Sequence, residues 1–209
     1  MTPAQQRAFD QCWPRYGIEY DGERLDIDSL FQRSAPCVLE IGFGMGHSLV
    51  AMAEASPETN YIGVEVHRPG VGKLFHGMQE RGVDNVRVYC HDAVEILRDC
   101  ISDGVLDGIQ IFFPDPWHKK KHHKRRLIQP ELVAQLASKL KRKGRIHLAT
   151  DWEHYAQQMM AVMTAEKALV NSYGSGEFAP QGGGRPVTKF ERRGERLGHG
   201  VWDLIFERR

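Results

Sequence analysis

The residues best suited to chemistry lie between positions 112 and 126. An apolar segment, Asp107–Phe113, reads as a buried strand and runs into two prolines, Pro114 and Pro116, that bracket one carboxylate, Asp115. Each proline fixes its own φ and pushes the residue before it toward extended geometry, so Asp115 is expected to be held stiffly at a strand end. Trp117 and His118 follow. Then come Lys119, Lys120, Lys121, His122, His123, Lys124, Arg125 and Arg126, a block without a single acid. A rigid acid beside a ring that can stack on a base, flanked by cations that seek phosphate, points to chemistry on a nucleic acid. On sequence, Trp117 has two readings of equal standing: a base-stacking plane, or packing against the sheet edge.

Three more acids fall at strand ends. Glu40 sits in the strand-like segment Pro36–Ile41, two residues before the first glycine of a Gly42, Gly44, Gly46 turn. Glu65 closes the next strand, 19 residues after Gly46, where an acid can accept from ribose hydroxyls. Asp92, followed by Ala93, comes after the third strand and is placed to accept from an adenine amino group. Glycines at such a turn let the backbone approach a ligand without a Cβ clash. The spacing is GxGxG rather than the dinucleotide pattern GxGxxG, and a carboxylate at Glu40 would repel a pyrophosphate. It suits a ligand with an ammonium or sulfonium centre, and S-adenosylmethionine has both.

The elements that must position these groups alternate in type, which predicts an α/β fold: a mostly parallel, Rossmann-like sheet of seven strands, helices on both faces and an antiparallel C-terminal strand. Strands are expected at 36–41, 60–66, 85–90, 107–113 and 145–149, with two more near 187–191 and 201–207. Helices are expected at 47–55, 69–81, 93–100, 127–140 and 152–163. Lys141, Arg142 and Lys143 suit the C-terminus of the fourth of these, and Asp151 is expected to cap the fifth. Gly174–Pro186, with five glycines and two prolines, reads as a loop. Residues 1–34 read as an N-terminal arm packed on a domain spanning 35–209.

The chain has 209 residues, 41% hydrophobic and 26% charged, with a net charge of +1, so whole-chain charge predicts no polyanion partner. Cys12, Cys37, Cys90 and Cys100 form no CxxC pair. His118 and His122 are spaced i, i+4, but no cysteine or carboxylate completes a cluster, and no metal is expected. No secretory signal or membrane-length apolar run is visible, and a cytoplasmic protein, monomeric or homodimeric, is expected.

At these residues the chain resembles a known family. Glu40–Gly46, Gly63–Val66, Cys90–Ala93, Phe112–Lys119, Ala149–Trp152 and Thr188–Glu191 are similar to segments of the bacterial tRNA (guanine-N7-)-methyltransferases, the TrmB family of class I methyltransferases. The likeness runs from about Trp13 to the C-terminus. The glycine turn is generic to the class, whereas the segments at 112–119 and 188–191 are far more specific. The resemblance implies that Glu40, Gly42, Gly44, Gly46, Glu65, Asp92, Ala93 and Asp115 bind S-adenosylmethionine. It also implies that Asp115 is the catalytic acid, and that Lys119, Asp151, Thr188, Lys189, Phe190 and Glu191 bind the substrate. Lys121, His122, His123, Lys124, Arg125 and Arg126 match RNA-contacting positions, with a guanine of the tRNA variable loop as the target. The resemblance also implies a further basic segment ahead of the Pro14–Gly17 region. Lys189, Arg192, Arg193 and Arg196 are expected either to help clamp RNA or to be a solvated strand edge.

Two roles for Asp115 stand open on sequence: stabilising the cationic methylated guanine, or gripping the base through its N-1 and amino hydrogens. A non-catalytic RNA-binding protein on the same fold is the second functional class; the intact acid set argues against it. The basic block argues against a methyltransferase for small molecules, and the glycine spacing against a dehydrogenase.

Overall fold

The computed structural model describes residues 1–180, 182–186 and 200–209. The strand expected near 187–191, the candidate site residues Thr188, Lys189, Phe190 and Glu191, and Arg192, Arg193 and Arg196 lie outside them.

Eight strands form one sheet in the order β1-β4-β3-β2-β5-β6-β8-β7. These are β1 (Gly17–Ile18), β2 (Cys37–Ile41), β3 (Asn60–Val64), β4 (Val86–Tyr89), β5 (Leu106–Phe112), β6 (Leu140–Thr150), β7 (Leu169–Asn171) and β8 (Trp202–Arg208). All neighbours are parallel as far as β6; β8 runs antiparallel to both β6 and β7. Among the described residues six of the seven expected strands are present, and a two-residue strand joins one edge of the sheet and a three-residue strand the other. From β2 the chain winds outward through β3 and β4, then returns to place β5 on the other side of β2. The strand order therefore reverses between β2 and β5, and ligands of open α/β sheets bind at such a reversal, outside the carboxyl ends of the strands.

The helices are α1 (Pro3–Tyr16), α2 (Ile27–Phe31), α3 (His47–Ala55), α4 (Arg68–Arg81), α5 (Ala93–Glu95, continued by a π-helical turn Ile96–Cys100), α6 (Pro130–Lys139) and α7 (Glu153–Ala165). One face of the sheet packs Leu39, Ile109, Ile111, Ile146 and Leu148 against Leu132, Leu136, Tyr155 and Met159 of α6 and α7. The other packs Phe112 and Ala149 with Phe9, Leu49, Leu74 and Phe75 of α1, α3 and α4. Each such side chain is worth roughly 1.5–3 kcal/mol when fully buried.

Residues 1–34, expected as an arm packed on the domain, form α1, α2 and β1, and two other expectations need correction. Thr2 and Gln5 form a reciprocal capping box on α1, Ala8, Phe9 and Cys12 are buried, and β1 pairs with β4. Lys141, Arg142 and Lys143 do not finish α6. The last carbonyls of that helix are taken by backbone N–H groups, Gly104 to Ser138 at 2.9 Å and Val105 to Lys139 at 3.0 Å, and the basic residues fall in a bulge of β6 where the pairing jumps from Leu106–Leu140 to Gly108–Arg145. Asp151 does not cap α7: the N-cap position is Trp152, with no side-chain capping bond, and the Trp152 N–H itself donates back to the Thr150 hydroxyl at 3.2 Å.

The glycine-rich loop is fastened from below. Asp203 of β8 is fully buried and accepts from His147 Nε2 (2.7 Å), Arg185 Nε (2.8 Å), Arg185 Nη2 (3.1 Å) and the Gly182 N–H (3.2 Å). Burial by itself would raise its carboxyl, but the bonds from His147 and Arg185 outweigh it and hold the group below the usual carboxylate range. Removing one partner of a buried ion pair strands the other, so Asp203→Ala is expected to cost about 3–5 kcal/mol in urea unfolding, well beyond the roughly 1 kcal/mol typical of a point substitution.

Candidate active site

Every acid singled out at a strand end lies on one rim, at the carboxyl ends of β4, β3, β2, β5 and β6. These strands are adjacent, so the rim from Asp92 to Asp151 spans roughly 19 Å.

Glu40 is the most informative of them. It is 2% exposed, and its Oε2 is buried with no hydrogen-bond partner. Burial pushes its carboxyl up to about 8. A buried carboxyl without a partner is costly unless something cationic completes it. Beside it, Gly42 (φ 72°) and Gly44 (φ 58°) take left-handed backbone, with open space where a Cβ would stand. Any other residue would be strained there and would fill the cradle. Glu65 ties this turn down, accepting from the Gly44 N–H at 2.8 Å and the His67 N–H at 2.9 Å. Asp92 is the N-cap of α5, its Oδ1 accepting from Val94 and Glu95, and is otherwise exposed.

Sequence reasoning missed three neighbours. Met45, Val66 and Val94 are large apolar side chains left 45%, 68% and 44% exposed, the first two in the loops after β2 and β3 and the third in α5, just after β4. Open apolar surface among carboxylates fits a ligand that carries a flat ring as well as a charge. The clue was their position, each within one or two residues of a motif glycine or acid.

One strand away, Phe113 departs from the extended backbone expected ahead of Pro114. Phe113 (φ 52°) and Trp117 (φ 45°) are both left-handed. The Phe113 N–H is held by the Ala149 carbonyl at 2.8 Å, which overrides the local preference imposed by Pro114. Asp115 Oδ1 accepts from the Trp117 N–H at 3.1 Å, closing an Asx turn with the carboxylate exposed on the rim. Non-glycine residues held in this region cost of order 1–3 kcal/mol each and persist only where the surroundings over-determine them.

The basic block folds as a 3-10 helix, Lys120–Arg125. Lys119, Lys121, Lys124 and Arg125 are exposed, and Arg125 lies over the Trp117 ring at 5.1 Å. His122 meets Trp117 edge-on, His118 meets Trp152, and His123 packs on His154, so the histidines face separate partners. Among the described residues no three His, Cys, Asp or Glu side chains gather to hold a metal ion, and no helix is long and apolar enough to cross a membrane. Arg126 breaks from the block. It is 2% exposed and turned inward, so it is not available to a phosphate as expected.

Solved structures with this architecture are methyltransferases. The 16S rRNA methyltransferase KamB matches with a TM-score of 0.63 over 89% of this chain and 94% of that one, at 14% identity. The 30S ribosomal A1408 methyltransferase from an uncultured bacterium gives 0.60 over 92% and 96%, at 12% identity. The sheet order and this likeness define a class I methyltransferase fold. The methyltransferase family model Methyltransf_4 matches residues 34–204. A tRNA (guanine-N(7)-)-methyltransferase of Saccharophagus degradans is 58% identical over 208 residues, covering 100% of this chain and 91% of that protein. One from Pseudomonas aeruginosa is 56% identical, covering 100% of this chain and 85% of that protein. The chain belongs to the tRNA (guanine-N7-)-methyltransferase family.

Proposed function

We infer that this protein transfers the methyl group of S-adenosylmethionine to N7 of a guanine in the tRNA variable loop. Family membership supports the activity. The observation that carries its placement in this molecule is the buried, unpartnered Glu40 carboxyl beside an open glycine cradle, one strand from the Asp115 turn. In this reading Glu40 and the turn Gly42–Gly46 hold the cationic methionine end of the cofactor, while Glu65, Asp92 and Ala93 hold the adenosine end. When bound, the cofactor supplies an activated methyl group on a sulfonium.

N7 of guanine is a lone-pair acceptor on the major-groove edge and carries no proton, so no general base is required. The chain's task is placement. Holding donor and acceptor in line can supply roughly 7–11 kcal/mol in favourable systems, and a fixed carboxylate at Asp115 stabilises the positive charge that develops on the ring. The target base must leave its stack to reach the rim, as base-modifying enzymes generally require. Trp117, backed by Arg125, and the 36%-exposed Trp152 offer aromatic surface beside that path. Lys119 and Asp151 flank it, and the reading extends substrate binding to Thr188–Glu191. The protein then works where tRNA is, in the cytoplasm.

Lys121, Lys124 and Arg125 would meet phosphates. Three such contacts give a slope of roughly −2 to −3 in a log-log plot of tRNA affinity against salt. Replacing all three by Ala is expected to flatten that slope to near zero in equilibrium binding titrations; an unchanged slope would place the RNA elsewhere. The reading as a whole is tested by incubating the protein with bulk tRNA and a labelled methyl donor, then mapping the modified base. Label at N7 of a variable-loop guanine is expected, and its absence, or label on another base, would overturn the function.

A further inference from the structure

We propose that Arg126 is a positioning residue that fixes the Asp115 turn from beneath, rather than one of the RNA-contacting cations beside it. This rests on the reading that puts Asp115 at the reacting centre.

The geometry separates Arg126 from its neighbours. Its Nε donates to the Pro116 carbonyl at 2.7 Å, the carbonyl directly after Asp115 in the chain. Its Nη1 donates to Gln158 Oε1 at 2.5 Å and to His154 Nδ1 at 3.1 Å, both on α7. The guanidinium lies over the Tyr155 ring at 4.7 Å. One planar fork thus joins three parts of the molecule: the Pro-Asp-Pro turn, the end of the basic 3-10 helix and the first two turns of α7. The backbone around it is stapled as well. Gln129 Nε2 donates to the carbonyls of His123 and Arg126, and the Tyr155 hydroxyl accepts from the Ile128 N–H.

The turn needs such an anchor. Its two ends are left-handed at Phe113 and Trp117, and Asp115 points to solvent, so its own carboxylate does not tie the loop to the core. The Ala149 carbonyl fixes the entry through the Phe113 N–H, and Arg126 fixes the exit through Pro116. A lysine has a single ammonium point and cannot hold Pro116, His154 and Gln158 together in one plane. Because the guanidinium is buried in the protein, it contributes no counterion release when RNA binds.

The test compares Arg126→Lys with wild type in four measurements. Loosening the turn should lower kcat by about 100-fold, the scale of a 1 Å misplacement. The tRNA KM should stay within about 2-fold, the pattern of a group that acts only in the transition state. The salt slope of tRNA binding should not change, either here or in Arg126→Gln, which removes the charge. Hydrogen exchange at the Trp117 amide, which closes on Asp115, should quicken by about 10-fold while β5 stays protected. A raised KM with a slope shallower by about one in Arg126→Gln would make Arg126 a phosphate contact and overturn the proposal. Unchanged kcat with unchanged Trp117 exchange would overturn it equally. Should Arg126→Lys fail to fold, Gln158→Met, which removes one anchor and leaves the guanidinium in place, is expected to show the same kcat-only loss at about 5-fold; no loss there rejects the proposal. If wild type does not methylate tRNA, the functional reading falls, while the exchange measurement still decides whether Arg126 holds the turn.

Discussion

Glu40→Gln is expected to raise the melting temperature of the ligand-free protein while abolishing its affinity for S-adenosylmethionine. Burial lifts the Glu40 carboxyl from 4.5 to about 8. Between those two values the folded state keeps the proton and the unfolded state has lost it. Stability therefore falls as pH rises from about 4.5 to about 8 and is level above that, with a full loss of up to about 5 kcal/mol. Glutamine keeps the shape and removes the titration. The variant should match wild type near pH 5 and melt about 10 °C higher at pH 8, given roughly 2–4 °C per kcal/mol for a domain of this size. The same carboxyl must ionise to pair with a cation. Cofactor affinity of the wild type should then climb by up to about tenfold per pH unit below 8, and calorimetry should register proton release. A melting difference that is the same at both pH values, or a glutamine variant that still binds the cofactor, would remove Glu40 from this role.

Asp115→Ala is expected to cut turnover by about 10²–10³-fold, the usual cost of losing one preorganised group aimed at developing charge, with tRNA Kd within about 3-fold. Affinity should survive because phosphate contacts made by the neighbouring cations supply most of it. Asp115→Asn separates the charge of this residue from its part in the turn. Asparagine retains an oxygen for the Trp117 N–H and so preserves the Asx turn seen here, but carries no charge. If Asn is as poor as Ala in single-turnover assays, the carboxylate acts by its charge. If Asn is nearly wild type, the turn itself matters, and charge stabilisation by Asp115 is ruled out.

Much of the rim was legible because its information is local. The glycine spacing at 42–46, the acids at 40, 65 and 92, and the prolines around Asp115 restrict the backbone within a few residues, and alternating strands and helices place the ends of parallel strands on one edge whatever the detailed packing. The N-terminal helix was missed because its burial pattern is sparse. Only Ala8, Phe9 and Cys12 are fully covered, and the surface that covers them belongs to α4, more than fifty residues away in sequence. Asp203 and His147 each stand between two apolar neighbours, a hint of a buried partner, but nothing in the sequence indicated that Arg185 would complete them.

The sequence by itself determined the order of elements, the edge of the sheet where their turns gather, and the acids that lie along it, since periodicity, glycine freedom and proline restraint act over short stretches of chain. The tertiary structure alone decided which of several identical charges does what. Arg125 and Arg126 are neighbours of one type, yet one lies on Trp117 at the surface and the other is buried against Tyr155. The difference is set by Gln158 and the ring of α7, brought beneath the turn only when the helix packs on the sheet, because burial and hydrogen-bond partners are properties of the packed chain.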